Sequence, residues 1–494
     1  MPWIVGLVTL VLRLLTAATG PTDWDSAQYA AAVGHFDVTH GQPQPPGYWL
    51  YVVAGRLIHR VTGLGTIHSL VLVAALASAA AAGLTAVAGR DIGGWWVGLA
   101  AGTVVATCPF AWFSGSIVAT YSFDMLACAL LIILAWRARP GSWHGVAAVV
   151  ALGILCGFRQ SILQSFAVLA LLAVIGSTRQ WARLGLTVAA GAGAIGVWLI
   201  PMSLSQPGGV TAWLHATRTE ATGAARSTSV LDHAAAGAAN LGTFAAYTVV
   251  ALGPLIVLAL VAGVVLCLRT LTSSPTDPGH RPSDAAAADP KTTEWRRPWY
   301  QTRTAVLGAA IVPPMALVAL VQFAKGGYLL AYLPAAVIAL LLPLGALNRG
   351  RWRGWMVIAS LGVVVIAALG AQRFLDGNGV LPQRWAVLSG GLWFQQTRYQ
   401  APYADTRATI RSADAVDTAL RGLDPSVATG RDVVVFDTLD DGGAIYRNAG
   451  WALPHDRVTL VSTGAVVYNQ LDGALYYASG DTVEVGPSGA AYLV

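Results

Sequence analysis

The sequence predicts a polytopic, all-α membrane domain followed by a small α/β domain outside the membrane, and three observations carry that reading. Of the 494 residues, 55% are hydrophobic and only 11% are charged, a balance that excludes an ordinary soluble domain. The apolar residues recur in runs of about 17–25, the length that crosses a bilayer as a helix with every backbone group satisfied internally. Charge is also divided along the chain: residues 1–371 carry 21 Lys and Arg against 11 Asp and Glu, whereas residues 372–494 carry 9 against 13. A basic membrane part and an acidic tail follow, and the basic excess reads as cytoplasmic loops under the positive-inside rule rather than as a nucleic-acid surface.

Apolar runs near 2–19, 65–88, 95–111, 116–136, 145–158, 161–176, 184–204, 243–268, 304–323, 328–347 and 354–371 predict eleven crossings. The first has no basic segment before it and no evident cleavage site, so it is expected to stay as a helix, although Arg13 is unusual inside a span. The fifth and sixth runs are short and meet at "GFRQS", residues 157–161. Arginines recur at every second boundary: Arg90, Arg137 and Arg139, Arg179 and Arg183, Arg269 to Arg303, then Arg349, Arg351 and Arg353. That rhythm sets the N-terminus in the cytoplasm and leaves loop 20–64, loop 205–242 and the tail on the extracytoplasmic side. Residues 1–371 then form the membrane domain, with a Pro- and Ser-rich cytoplasmic linker at 270–303 expected to be disordered. Residues 372–494 form the outer domain, where 405–420 has helical spacing and "DVVVFD", "RVTLVS", "GALYYA" and "TVEVG" read as strands. The layout suits a multi-pass protein of a bacterial plasma membrane. Cys108, Cys128, Cys156 and Cys267 show neither a disulfide framework nor a metal spacing.

The chemistry is expected in the first outer loop. Its residues 45–60 have an apolar face too short to span and follow a stiff "PPG" bend, which predicts an amphipathic helix at the interface. Asp23 and Asp25 are thereby held where a lipid-borne head group would sit. Asp25 also suits the N-cap of a helix beginning "SAQYAAA". Asp124 starts a span, where a carboxylate is costly unless it serves a site. Arg159, between two half-length runs, must be paired or line a wet cavity and suits a phosphate contact. Lys325, one of two lysines in the chain, is the one expected on the outer side and suits a carrier phosphate. Tyr29, Tyr48, Tyr51 and Tyr121 suit either the interfacial belt or stacking on a sugar or prenyl chain. His35, His40, His59 and His68 crowd the same region without a spacing that fixes a metal site.

"WDSAQYA" followed by "QPQPPGYWLY" resembles the opening of the polytopic glycosyltransferases of the GT-C class, in the branch of the protein O-mannosyltransferases and the aminoarabinose transferase of lipid A. Asp25 falls on the first acid of the family's acidic pair, Ser26 replaces the second, and Gln44 replaces the lysine before two prolines. "ATYSFDMLACALL" matches at Asp124 and Met125, and "AKGGYLLAYLPA", with Lys325 and Tyr328, resembles the family's late basic, Tyr-Leu-Leu-Pro stretch. The resemblance implies a GT-C fold and transfer of a monosaccharide, hexosyl or pentosyl, from a polyprenyl-phosphate carrier to a glycan, lipid or protein acceptor on the outer face. Such a transfer needs a carboxylate to take the acceptor proton and positive charge for the departing phosphate. Asp25 is the expected base with Asp23 in reserve, and Asp124, Arg159, Lys325, Tyr328, Gln44, Tyr48 and Tyr121 are the expected substrate contacts. A single displacement would invert the anomeric carbon. One acidic pair is compatible with a divalent metal or with none, and no organic cofactor is expected. The departures at Ser26 and Gln44 leave a non-catalytic accessory subunit as an alternative, and the interrupted pair around Arg159 leaves a lipid-linked sugar flippase or transporter.

Overall fold

The structure, a computed structural model, describes residues 2–228, 234–272, 298–320, 326–347, 353–376, 406–421 and 451, with strands at 432–437, 457–462, 476–477 and 490–493. Its membrane part is built around α4 (Thr66–Gly93), against which α1 (Pro2–Leu15), α5 (Trp95–Thr107) and α7 (Ser122–Arg137) pack. Small residues allow the approach, as membrane helices require in the absence of a hydrophobic drive between them. A Cβ on Gly98 would meet the Ala86 carbonyl oxygen at 2.4 Å, so α4 and α5 touch backbone to backbone.

The expected third span is broken. Pro109 starts a second helix, α6 (Pro109–Ser116), bent 59° from α5, because proline has no N–H to continue the ladder. That break explains Arg13. Ala106 lies in the last turn of α5, where carbonyls lack a helical partner. The fully buried Arg13 donates Nη2–H to that carbonyl oxygen at 2.7 Å and Nε–H to Ser78 Oγ at 3.2 Å, and it lies 5.1 Å from the Trp112 ring.

The remaining helices are α8 (His144–Leu155), α9 (Ser161–Ser177), α10 (Trp181–Ser205), α11 (Gly209–Thr228), α12 (Ala234–Thr272), α13 (Arg303–Leu320), α14 (Leu333–Ala346) and α15 (Arg353–Asp376). Two shorter ones, α2 (Trp24–Gly34) and α3 (Trp49–Thr62), fold the first loop. Among the described residues five helices are long and apolar enough to cross a bilayer, or six with the bent pair, and Pro2–Leu15, His144–Leu155, Ser161–Ser177 and Leu333–Ala346 are shorter apolar helices. The chain is thus an integral, multi-pass helical membrane protein. The run expected to start at 328 begins instead with a 3-10 turn, Gly326–Ala331.

Past the membrane helices stand α16 (Arg407–Arg421) and four parallel strands, β1 (Asp432–Asp437), β2 (Arg457–Ser462), β3 (Tyr476–Tyr477) and β4 (Ala490–Leu493), in the order β3-β2-β1-β4. Strand β4 had no sequence signal, since "AAYL" is too short to show a pattern. The "TVEVG" strand and most of the linker lie outside the described residues.

Candidate active site

All the site elements meet at one end of the bundle. The connection after α1 leads into α2, and Asp23 is its N-cap with extended backbone (φ −152, ψ 175). Asp23 Oδ1 accepts the Ser26 N–H at 2.8 Å and the Ser26 hydroxyl at 2.5 Å. The capping role considered for Asp25 therefore belongs to Asp23, because the helix starts two residues earlier, at Trp24. Ser26, where the family places its second acid, is buried and lies 3.1 Å from the Val118 carbonyl oxygen.

Asp25 is half-buried in the first turn of α2, within the positive field of the helix N-terminus. Its carboxylate acts on the phenols of Tyr29 and Tyr48, whose rings stand edge to face with centroids 5.3 Å apart. Burial first, and then the negative neighbours, push the Tyr29 phenol well above its ordinary range. Tyr48 rises to about 12, again chiefly by burial, although Arg159 works against the rise. Both tyrosines therefore stay protonated donors at any physiological pH. Tyr48 caps α3 in the left-handed region at φ 45, after Gly47 at φ 113. Trp213 of α11 fixes this corner by donating to the Pro46 carbonyl oxygen at 3.0 Å. Helix α3 begins at Trp49, four residues past the expected start, and its Leu50 N–H donates at 2.9 Å to Gly157 in the break between α8 and α9.

That break delivers Arg159. Its Nε is 2.9 Å from Asp124 Oδ2, its Nη1–H donates to Thr120 Oγ1 at 3.0 Å, and its guanidinium carbon lies 4.2 Å from the Tyr121 ring and 5.3 Å from the Tyr328 ring. The side chains of the pair are 7% and 3% exposed, so Arg159 is a desolvated cation already balanced by a carboxylate. Tyr328 arrives on the 3-10 turn, where a Cβ on Gly327 would sit 2.4 Å from the Tyr121 ring. Asp124 Oδ1 and both amide atoms of Gln160 are buried with no hydrogen-bond partner among the described residues.

The structure thus gathers Asp25, Tyr48, Tyr121, Asp124, Arg159 and Tyr328 and brings in Tyr29 and Thr120 besides. Gln44 is half-buried in the turn before α3, its carbonyl oxygen accepting the Gly47 N–H at 3.1 Å. Lys325 lies outside the described residues. The four histidines are exposed, and His40 instead binds Asp37, its Nδ1 2.6 Å from Asp37 Oδ2. Among the described residues no group of three His, Cys, Asp or Glu converges to hold a metal ion. Sequence spacing left the two members of the ion pair apart, although an acid and a cation at matching depth in one membrane domain have each other as the cheapest partner. Thr120 carried no such signal.

Fold and site together define a polytopic helical membrane protein with an acidic loop folded over a buried ion pair. The same overall fold is that of ArnT from Cupriavidus metallidurans, solved bound to undecaprenyl phosphate, at a TM-score of 0.51 and 16% identity over 93% of this chain and 85% of that one. The fold is therefore of the GT-C type. The apo state of that ArnT aligns at 0.49 and 14% identity, and the Archaeoglobus fulgidus oligosaccharyltransferase with Zn and sulfate at 0.46 and 14%, covering 62% of the latter. No protein-family model matches the sequence, and no curated protein matches it.

Proposed function

We propose that the protein is a membrane glycosyltransferase that moves a monosaccharide from a polyprenyl-phosphate carrier to an acceptor on the extracytoplasmic face. The observation that carries this reading is the placement of Asp25 beside the Tyr29 and Tyr48 phenols, at the end of the bundle where Arg159 is buried. The ArnT-like fold supports it. Asp25 takes the acceptor hydroxyl's proton as the new bond forms, and the carrier phosphate leaves in the opposite direction, so the anomeric centre inverts. Arg159 enters as half of a neutral pair and offers hydrogen bonds and a local dipole rather than net charge. The excess positive charge for the departing phosphate falls to Lys325, with Gln44, Tyr48, Tyr121 and Tyr328 as neutral donors. Asp23 holds the helix start. The eleven crossings count the four shorter apolar helices and α7 as spans beside the five long helices and the bent pair, with domain limits at 1–371 and 372–494.

The test is transfer by purified protein from a panel of labelled polyprenyl-phosphate sugars to an envelope extract, with and without a chelator. Asp25→Asn should lose about 10²- to 10⁴-fold in rate, while Asp23→Asn, which keeps an acceptor for Ser26, should stay active. Full activity of Asp25→Asn removes the base assignment. Saturable carrier binding without any transfer by wild type moves the reading to a flippase or to an accessory subunit, for which the substitution at Ser26 is the motivating observation.

A further inference from the structure

The connection that carries the acidic loop is not shaped by the membrane helices alone. Asp414, on α16, accepts two backbone N–H groups with one oxygen: Thr19 at 2.8 Å and Gly20 at 2.9 Å. A Cβ on Gly20 would lie 2.5 Å from Asp417 Cβ, so the helix rests directly on the chain there. One turn earlier, Ile410 is buried in an apolar cluster with Ala18, Trp112, Phe113 and Phe374. Residues 410, 414 and 417 share one helix face, by the three- and four-residue spacing of a helix. That face covers residues 18–20, and Gly20 precedes the Asp23 cap by three residues and Asp25 by five.

We infer that Asp414 is a positioning residue for the reaction. It fixes the backbone from which α2 starts and so sets where Asp25 stands against Tyr29, Tyr48 and the Arg159–Asp124 pair. The C-terminal segment then belongs to the active centre and is not an appended module. Two N–H donors on one carboxylate oxygen make a charge-assisted contact, stronger than a neutral pair. It holds a segment that contributes few side chains of its own to hold itself, Gly20 having none. This inference rests on the reading of Asp25 as the base.

The experiment uses the full-length protein in nanodiscs and combines amide hydrogen exchange over residues 17–30 with steady-state transfer kinetics for wild type, Asp414→Ala and Asp414→Asn. Asp414→Ala should raise exchange at Thr19 and Gly20 by about tenfold or more as local opening becomes easier. Its kcat should fall by about 10- to 100-fold, the scale of an ångström-sized misplacement, with donor KM within about twofold of wild type. Asp414→Asn keeps a side-chain carbonyl for the same two N–H groups and should retain most of both properties. Unchanged exchange in Asp414→Ala overturns the contact. Raised exchange with unchanged kcat overturns the positioning role, as does an equal kcat loss in the alanine and asparagine variants. If wild type transfers no sugar at all, the transferase reading fails together with the catalytic half of this inference, and the exchange result still decides whether Asp414 orders the loop.

Discussion

Arg159 and Asp124 are a buried pair whose members are each costly alone. Removing one partner from such a pair typically costs about 3–5 kcal/mol, because it strands the other charge, whereas replacing both with apolar groups is often neutral. Arg159→Met should therefore lower thermal stability strongly, and Arg159→Met combined with Asp124→Leu should recover most of it while leaving transfer abolished. Tryptophan-monitored unfolding beside the transfer assay checks this; a double variant no more stable than the single one would mean that the pair is not coupled as the 2.9 Å contact indicates. Ser26 gives a milder case. Its hydroxyl donates to Asp23 Oδ1 and lies 3.1 Å from the Val118 carbonyl oxygen, so Ser26→Ala should cost about 1–2 kcal/mol, the scale of a buried polar group losing its partner. Ser26→Asp, which restores the second acid at the position matched by the resemblance, would put a carboxylate where the present hydroxyl stands 2.5 Å from Asp23 Oδ1, so that two like charges face each other. It should be the less stable of the two variants. At this scale Asp25, Asp124 and Arg159 were each legible as costly charges in an apolar sequence. Their partners were not, because the Arg159–Asp124 contact joins segments 35 residues apart and Thr120 is an unremarkable threonine until the fold is closed.

Helices α2 and α3 are held by the elements that follow α10. Gln206, at the end of α10, donates to Asp37 Oδ1 at 2.7 Å and accepts the Val38 N–H at 2.8 Å, while Trp213 of α11 holds Pro46. Burial works to raise the Asp37 carboxyl, but hydrogen bonds from Thr39, Gln206 and His40 outweigh it and bring it down to about 2 from its ordinary 3.8. A carboxylate lowered on folding contributes stability that is present above its unfolded value and is lost as pH falls through the folded one. Wild type should therefore be more stable than Asp37→Asn from neutral pH down to about 4, and the difference should close as pH approaches 2. Melting curves of both proteins between pH 7 and 2 test this, and a pH-independent difference would assign the effect to packing instead. The elements themselves were largely legible, since an apolar run announces its own length. What the sequence concealed were interruptions set by tertiary fit: the 59° bend at Pro109 and the 3-10 turn that lets Tyr121 lie against Gly327. Helix α3 is the intermediate case, its amphipathic stretch readable and its start displaced by the corner at Gly47 and Tyr48.

For the molecule as a whole, Arg137 and Arg179 and the candidate site occupy opposite ends of α7 and α9. Arg137 ends α7 and Arg179 follows α9, whereas Asp124 and Arg159 stand at the opposite ends of those helices. The positive-inside rule then predicts that the site faces outward, where a carrier-borne sugar and an envelope acceptor would meet. This has a direct test. Of the free cysteines Cys108, Cys128 and Cys156 are buried and Cys267 is exposed, so a Cys267→Ser background silences the accessible thiol. In that background His35→Cys, at the exposed end of α2, should react on intact cells with a membrane-impermeant maleimide. Arg139→Cys, at the exposed connection after α7, should react only after the cells are opened. The reverse pattern would turn the molecule over and place Asp25 in the cytoplasm. There, sugars are available on soluble nucleotide carriers, and the need for a lipid-borne donor, on which the proposed mechanism depends, would disappear.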